Sequence, residues 1–156
     1  MAIPQRSRAL TILPAPSPAQ SPSALPHPLP SALGDRLILL AIRRMGANGL
    51  ADAHVAQSYL AAFGSGFRRP LVLARAFMAE LAATATTTIA IAPCCCARMT
   101  WAEAALIAAI GNAERRPDLT RLLLADVMAE RRADAIVATA AAVSAAFSDA
   151  GMPIGG

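Results

Sequence analysis

Pro70-Leu71-Val72-Leu73-Ala74-Arg75-Ala76-Phe77-Met78-Ala79-Glu80-Leu81-Ala82-Ala83 is the stretch on which the fold turns. Proline suits a first helical turn, where its missing N–H has no partner to lose. The residues after it are apolar nearly all round, interrupted only by Arg75 and Glu80. A helix of that kind is expected to be covered by other helices rather than to lie on a surface. Its two charges also argue against a membrane span, because both would stand in the hydrocarbon. The stretch therefore points to an all-α fold in which helices pack on helices.

Composition agrees. The chain has 156 residues, 56% of them hydrophobic and only 4% aromatic. Alanine supplies much of the apolar content, and it orders in a helix at almost no cost in side-chain entropy. Large β-branched residues are sparse, which disfavours an all-β fold. The length is sufficient for one domain with its own core.

On either side the helices can be bounded by turn chemistry. A first runs from about Asp35 to Met45 with Leu37, Ile38, Ala41, Ile42 and Met45 inward, ended by Gly46 and Asn48-Gly49. A second, about Leu50 to Phe63, places Val55, Tyr59, Ala62 and Phe63 on one side and stops at Gly64 and Gly66. The third is the opening stretch. Thr86 to Ile91 is β-prone but has no obvious partner, so coil is expected there.

Thr100-Trp101-Ala102-Glu103 has the spacing of a capping box and starts a fourth helix ending near Arg115. Between Pro117 and Gly151 there is no Gly or Pro. However, the stripe Leu119, Leu122, Leu123, Val127 and the stripe Ile136, Ala140, Val143, Phe147 differ by about a quarter turn at roughly 100° per residue. A break near Glu130 to Arg132 follows, giving two helices and a compact bundle of about six in all.

Eight of the 12 prolines fall between Pro4 and Pro30. Residues 1–30 are accordingly expected to be a disordered Pro/Ser/Ala-rich tail. Residues 31–151 form the helical domain, and 152–156 a flexible C-terminus. No hydrophobic run near the start reads as a secretory signal. A soluble, cytoplasmic protein with no membrane association is expected.

All 14 basic residues are Arg, and the formal net charge is +4. Most are scattered near predicted helix ends, where a cation opposes the macrodipole. Phe67-Arg68-Arg69 could contact a nucleic acid, with Gly46 to Gly49 as the turn of a helix-turn-helix. Only Gln57 offers base readout on the second helix, which makes nucleic acid an unfavoured partner. Ala-rich faces that permit close helix approach instead suggest a homo-oligomer or a protein partner.

The chemistry is concentrated in Cys94-Cys95-Cys96, the only cysteines. The three readings of this cluster are a packed turn of small apolar groups, a soft-metal site for zinc or Cu(I), and a reactive thiol site. Adjacent residues cannot easily all face one ion, so a metal would need help from His54, carboxylates or a second subunit. Arg98 and the start of the fourth helix would favour a thiolate.

Arg75 and Glu80 are five apart and cannot form the usual helix-surface pair. Each is expected to find its own partner: Arg75 among loop carbonyls, including the cysteine turn, and Glu80 on another Arg. Alternatively both line a pocket for an anionic ligand. His54 is expected to face solvent. No nucleophile elbow, phosphate-binding loop, dinucleotide fingerprint or His-Glu-x-x-His motif occurs, so no catalytic residue is assigned and no cofactor is predicted. A non-enzymatic binding or regulatory protein is the leading reading; a thiol-based metal or redox protein and a weak DNA-binding regulator are the alternatives.

Asp35-Arg36-Leu37-Ile38-Leu39, Arg43-Arg44-Met45, Arg69 to Leu81 and the phrase Ala92-Pro93-Cys94-Cys95-Cys96-Ala97-Arg98-Met99-Thr100 resemble a small uncharacterised bacterial family of unknown function. Its distinctive segment is Cys-Cys-Cys-x-Arg-Met-Thr. The resemblance covers most of Asp35 to Phe147 and implies no mechanism.

Overall fold

The computed structural model describes residues 10–13 and 25–155. The elements in chain order are β1 (Leu10–Ile12), β2 (His27–Pro28), α1 (Leu33–Asn48), α2 (Ala53–Phe63), α3 (Arg68–Thr84), β3 (Ile89–Ile91), β4 (Arg98–Met99), α4 (Trp101–Asn112), α5 (Pro117–Met128) and α6 (Asp134–Asp149). A 3-10 turn at Gly64–Phe67 joins α2 to α3 without a break. About six helices were expected; among the described residues the joined pair leaves five uninterrupted helical runs. The helix-on-helix architecture itself is as the composition implies.

Helices α1, α4 and α6 each bury six apolar residues in the core. Helix α4 buries Ala102, Ala105, Leu106, Ala109 and Ile110, and packs on α5, α6 and α1. Helix α1 buries the predicted set Leu37, Ile38, Ala41, Ile42 and Met45. It continues through Gly46 and stops only at Gly49, which adopts a φ of 95°. The break between α5 and α6 is present. Ala129 takes a left-handed φ of 51° there, and its N–H closes onto Asp126 O. The inward face of α5 differs from the reading, however. Thr120, Leu124, Val127 and Met128 are buried, while Leu122 is 69% exposed.

Helix α3 also departs from expectation. Leu71, Ala74, Phe77, Met78 and Leu81 are buried against α6 and its neighbours, but Val72, Ala76, Ala79, Ala82 and Ala83 are exposed. Alanine blurs a helical stripe, since it is tolerated on both sides. The helix covered on nearly every side is α4.

The coil expected at 86–91 contains a strand, because its partner comes from the proline-rich N-terminal stretch. Leu10, Thr11 and Ile12 pair in parallel with Ile89, Ala90 and Ile91. Leu13 N donates to Ile91 O at 2.8 Å, and Ile89 and Ile91 are fully buried. Further on, His27 and Pro28 pair antiparallel with Met99 and Arg98. Residues 10–13 and 25–30 are thus laid on the domain, and the remainder of the expected tail lies outside the described residues.

The C-terminal segment, expected to be flexible, is packed as far as Gly155. Ile154 is 2% exposed, and Gly155 N donates to Asp35 Oδ1 at 2.7 Å. Two glycines admit this strap. A Cβ at Gly34 would stand 2.5 Å from the carbonyl oxygens of Met152 and Pro153, and one at Gly111 would stand 2.9 Å from Gly155 Cα.

Two substitutions test the packing. Ala is a better helix former than Gly by about 1 kcal/mol. Gly34→Ala should nevertheless lower stability in urea denaturation, by about 1–3 kcal/mol for overpacking against backbone. Tyr59 lies edge-on to Phe63 and Phe147, with its hydroxyl buried and unpartnered among the described residues. Tyr59→Phe should leave the denaturation midpoint unchanged or raise it, because it removes a desolvated donor that bonds nothing.

Candidate functional site

Ala92 to Thr100 leaves the buried strand β3 and must return to the N-terminus of α4, carrying the three cysteines across the surface. Its backbone groups point inward at a pair of buried charges. Helix α1 supplies Arg43, 4% exposed, one position after Ile42 on the inward side; α4 supplies Glu103, 0% exposed. Arg43 Nε donates to Glu103 Oε1 at 2.8 Å and Nη2 to Oε2 at 3.0 Å, a forked pairing.

The remaining capacity of both groups goes to the loop. Arg43 Nη1 donates to Cys96 O at 2.9 Å and Nη2 to Arg98 O at 2.7 Å. Glu103 accepts from Ala92 N at 3.0 Å and from Thr100 N at 2.9 Å. The last of these is half of the capping box. In the other half, Thr100 Oγ1 accepts from Glu103 N at 3.0 Å and also donates to Ala90 O at 2.9 Å. A helix cap and a loop clamp are therefore built from the same carboxylate. Because the fork is satisfied on both sides, the cost of burying two charges is offset by many short charge-assisted bonds.

Within this frame Cys96 N closes a tight turn onto Pro93 O at 3.0 Å. The turn separates the cysteines. Cys94 and Cys95 are exposed, while Cys96 is 5% exposed. Burial pushes the Cys96 thiol up, with Cys95 adding to the shift and Arg43 opposing it. Cys96 is thus held as a neutral packing group.

Cys94 lies toward Arg44. The Arg44 guanidinium is pushed up by its hydrogen bond to Asp52, against some desolvation, with a smaller contribution from Cys94. It contacts Asp52 Oδ2 at 2.9 Å and His54 Nδ1 at 2.8 Å. Asp52 caps α2 by accepting from Val55 N at 3.1 Å. Burial alone would raise its carboxyl, but Arg44, Val55 N–H and Asn48 outweigh it and hold it below the usual range. A recess of about 140 Å³ beside the turn is bounded by Leu29, Pro30, Arg36, Leu39, Cys94 and Cys96, with Arg43 in its wall.

The residues singled out from the sequence are placed as follows. His54 is exposed as expected, but it faces Arg44 rather than solvent alone. Arg98 turns away from the thiols. Its Nε and Nη2 each donate at 2.6 Å to Leu25 O and Pro26 O, anchoring the N-terminal segment. Arg75 does not bind the cysteine turn, a role taken by Arg43, and its Nε is buried without an acceptor among the described residues. Glu80 pairs with no Arg there; its Oε2 accepts from Thr139 Oγ1 at 2.6 Å. Arg69, weighed as a nucleic-acid contact, bridges to Asp149 at 2.7 Å. Among the described residues no three His, Cys, Asp or Glu side chains stand close enough to hold a metal ion. No helix there is long and apolar enough to cross a membrane.

The Arg43–Glu103 pair escaped sequence reasoning. A signal existed: Glu103 is the only ionisable group of α4, so its position in a buried helix demanded a cation. Which arginine supplied it depended on tertiary contact across 60 residues.

The fold and site define a class: a small helical protein in which a buried arginine–glutamate fork clamps a surface loop of cysteines. The chain belongs to a family of unknown function, DUF6628, whose model matches residues 17–148. No curated protein and no solved structure gives a significant match.

Glu103→Ala should destabilise the protein by about 3–5 kcal/mol, since it strands a buried guanidinium as well as two loop N–H groups. Arg43→Met should cost a comparable amount. The double variant should cost less than the sum in a denaturation double-mutant cycle. Additive losses would mean that the two charges are not coupled. Acid should also loosen the start of α2. The lowered Asp52 carboxyl contributes stability that is fully present above its unfolded pKa and lost as pH falls through the folded value. Asp52→Asn should flatten that acid limb.

Proposed function

We propose that this is a non-enzymatic binding or regulatory protein whose working part is the clamped cysteine loop, acting through its exposed thiols. The observation that carries this reading is the division of labour within the triplet. Cys96 is packed beneath the loop, while Cys94 and Cys95 are held outward on a backbone anchored by Arg43 and Glu103. Two exposed thiols expose a small protein to unwanted oxidation, and here both sit on a turn held in one course by the fork. Arg44 places a guanidinium beside the exposed Cys94, where it attracts an anionic disulfide to that sulfur.

The reaction class is thiol–disulfide exchange. The thiolate sulfur attacks one sulfur of a partner disulfide, a mixed disulfide forms, and the other partner sulfur leaves as thiolate. Free thiols at such a position suit a reducing compartment, the cytoplasm.

Glutathione disulfide provides the test. Folded protein should gain one glutathione on Cys94 or Cys95, located by peptide mass spectrometry, while Cys96 reacts only after unfolding. Arg44→Gln should slow the reaction. Three inert thiols in the folded state would reject the reading. A stoichiometric soft metal in anaerobically purified protein would replace it with metal binding.

A further inference from the structure

The outward face of α3 is laid out as an interface. Val72, Ala76, Ala79 and Ala83 are all exposed and follow the four–three–four spacing of a two-stranded helical seam. Read as d, a, d, a, they place Arg75 at g and Glu80 at e, on opposite flanks of the same stripe. Neither residue forms an ion pair among the described residues, and Arg75 Nε is buried with no acceptor. Glu80 receives one hydroxyl, from Thr139. The seam has defined ends: the preceding a position is Arg69, tied to Asp149, and the following d position is Thr86, bonded to Met128 O and Ala129 O. Beside it, between α3 and the end of α1, lies a recess of about 500 Å³ that includes Met45, Leu50, Met78, Ala79 and Ala83, extending the apolar surface.

We infer that this face is covered by a second copy of the chain, with the two α3 helices parallel about a two-fold axis. The charges select the occupant. In a parallel pair a g residue faces the e residue five positions later on the other helix. Arg75 of each copy then meets Glu80 of the other, and both unpaired charges are answered twice over by symmetry. An antiparallel pair sets g flanks against g and e flanks against e, so Arg75 and Glu80 would not meet. Alanine at three of the four seam positions lets the backbones approach closely. The ion pairs set register and orientation, because half-exposed pairs add little affinity. The contact is independent of the thiols.

The full chain is examined under reducing conditions by size-exclusion chromatography with light scattering. Wild type should show twice the chain mass, falling twofold on dilution. Arg75→Glu and Glu80→Arg should each be monomeric, and the double reversal R75E/E80R should recover the dimer, which a merely structural role for either residue would not produce. Because Glu80→Arg also removes the Thr139 bond, Ala76→Glu provides a second route: it changes an exposed alanine, should keep the helical circular dichroism, and should give the monomer mass. A wild-type monomer at every concentration, or a dimer that survives both Arg75→Glu and Ala76→Glu, would overturn the inference.

Discussion

The structure depends on one buried ion fork. Arg43 and Glu103 join α1 to α4, and their remaining donors and acceptors hold the loop between β3 and α4 at Ala92, Cys96, Arg98 and Thr100. A single carboxylate serves as interhelical partner, loop anchor and helix cap. A hydrophobic pair of similar volume would fill the space but would leave those backbone groups without partners. The fork therefore sets the course of the loop as well as joining the helices.

Around that centre the chain ends act as structure. The first strand pairs with β3, His27–Pro28 pairs with β4, and Arg98 holds Leu25 and Pro26 by their carbonyls. The other end runs as a strap over Gly34 and Gly111 to Asp35. The N-terminal segments cover the edges of two short strands, each of which would otherwise expose unpaired backbone. They also form one wall of the recess beside the thiols, through Leu29 and Pro30. The cysteine loop is thus bounded by residues far from it in sequence.

Charge is used in two different ways. At the fork, two ions are withdrawn from water and satisfied by each other and by backbone groups of Ala92, Cys96, Arg98 and Thr100. On α3, Arg75 and Glu80 flank an exposed apolar face without meeting each other, since five residues separate them by more than a quarter of a helical turn. The first arrangement completes the monomer. The second leaves a helix face whose charges match a copy of itself.

The helical class, the capped start of α4, the break before α6 and the inward sets of α1 and α6 were all legible in the sequence. They rest on local physics: helix propensity, side-chain caps, turn residues and a 3.6-residue period. So was the distinctiveness of Cys94 to Cys96. What those cysteines do in the fold was not legible, nor was the identity of the arginine that holds them. Arg43, Arg75 and Arg98 look alike in sequence, and only packing decides which is buried against Glu103, which anchors Leu25 and which is left without an acceptor. The inward side of α3 was hidden for a related reason, because alanine on both faces erases the contrast that a stripe requires. Strand β3 was missed because its partner lay 79 positions away in register, at Leu10 to Ile89, within a proline-rich stretch. Local rules cannot see a pairing whose stabilisation appears only after the domain has closed.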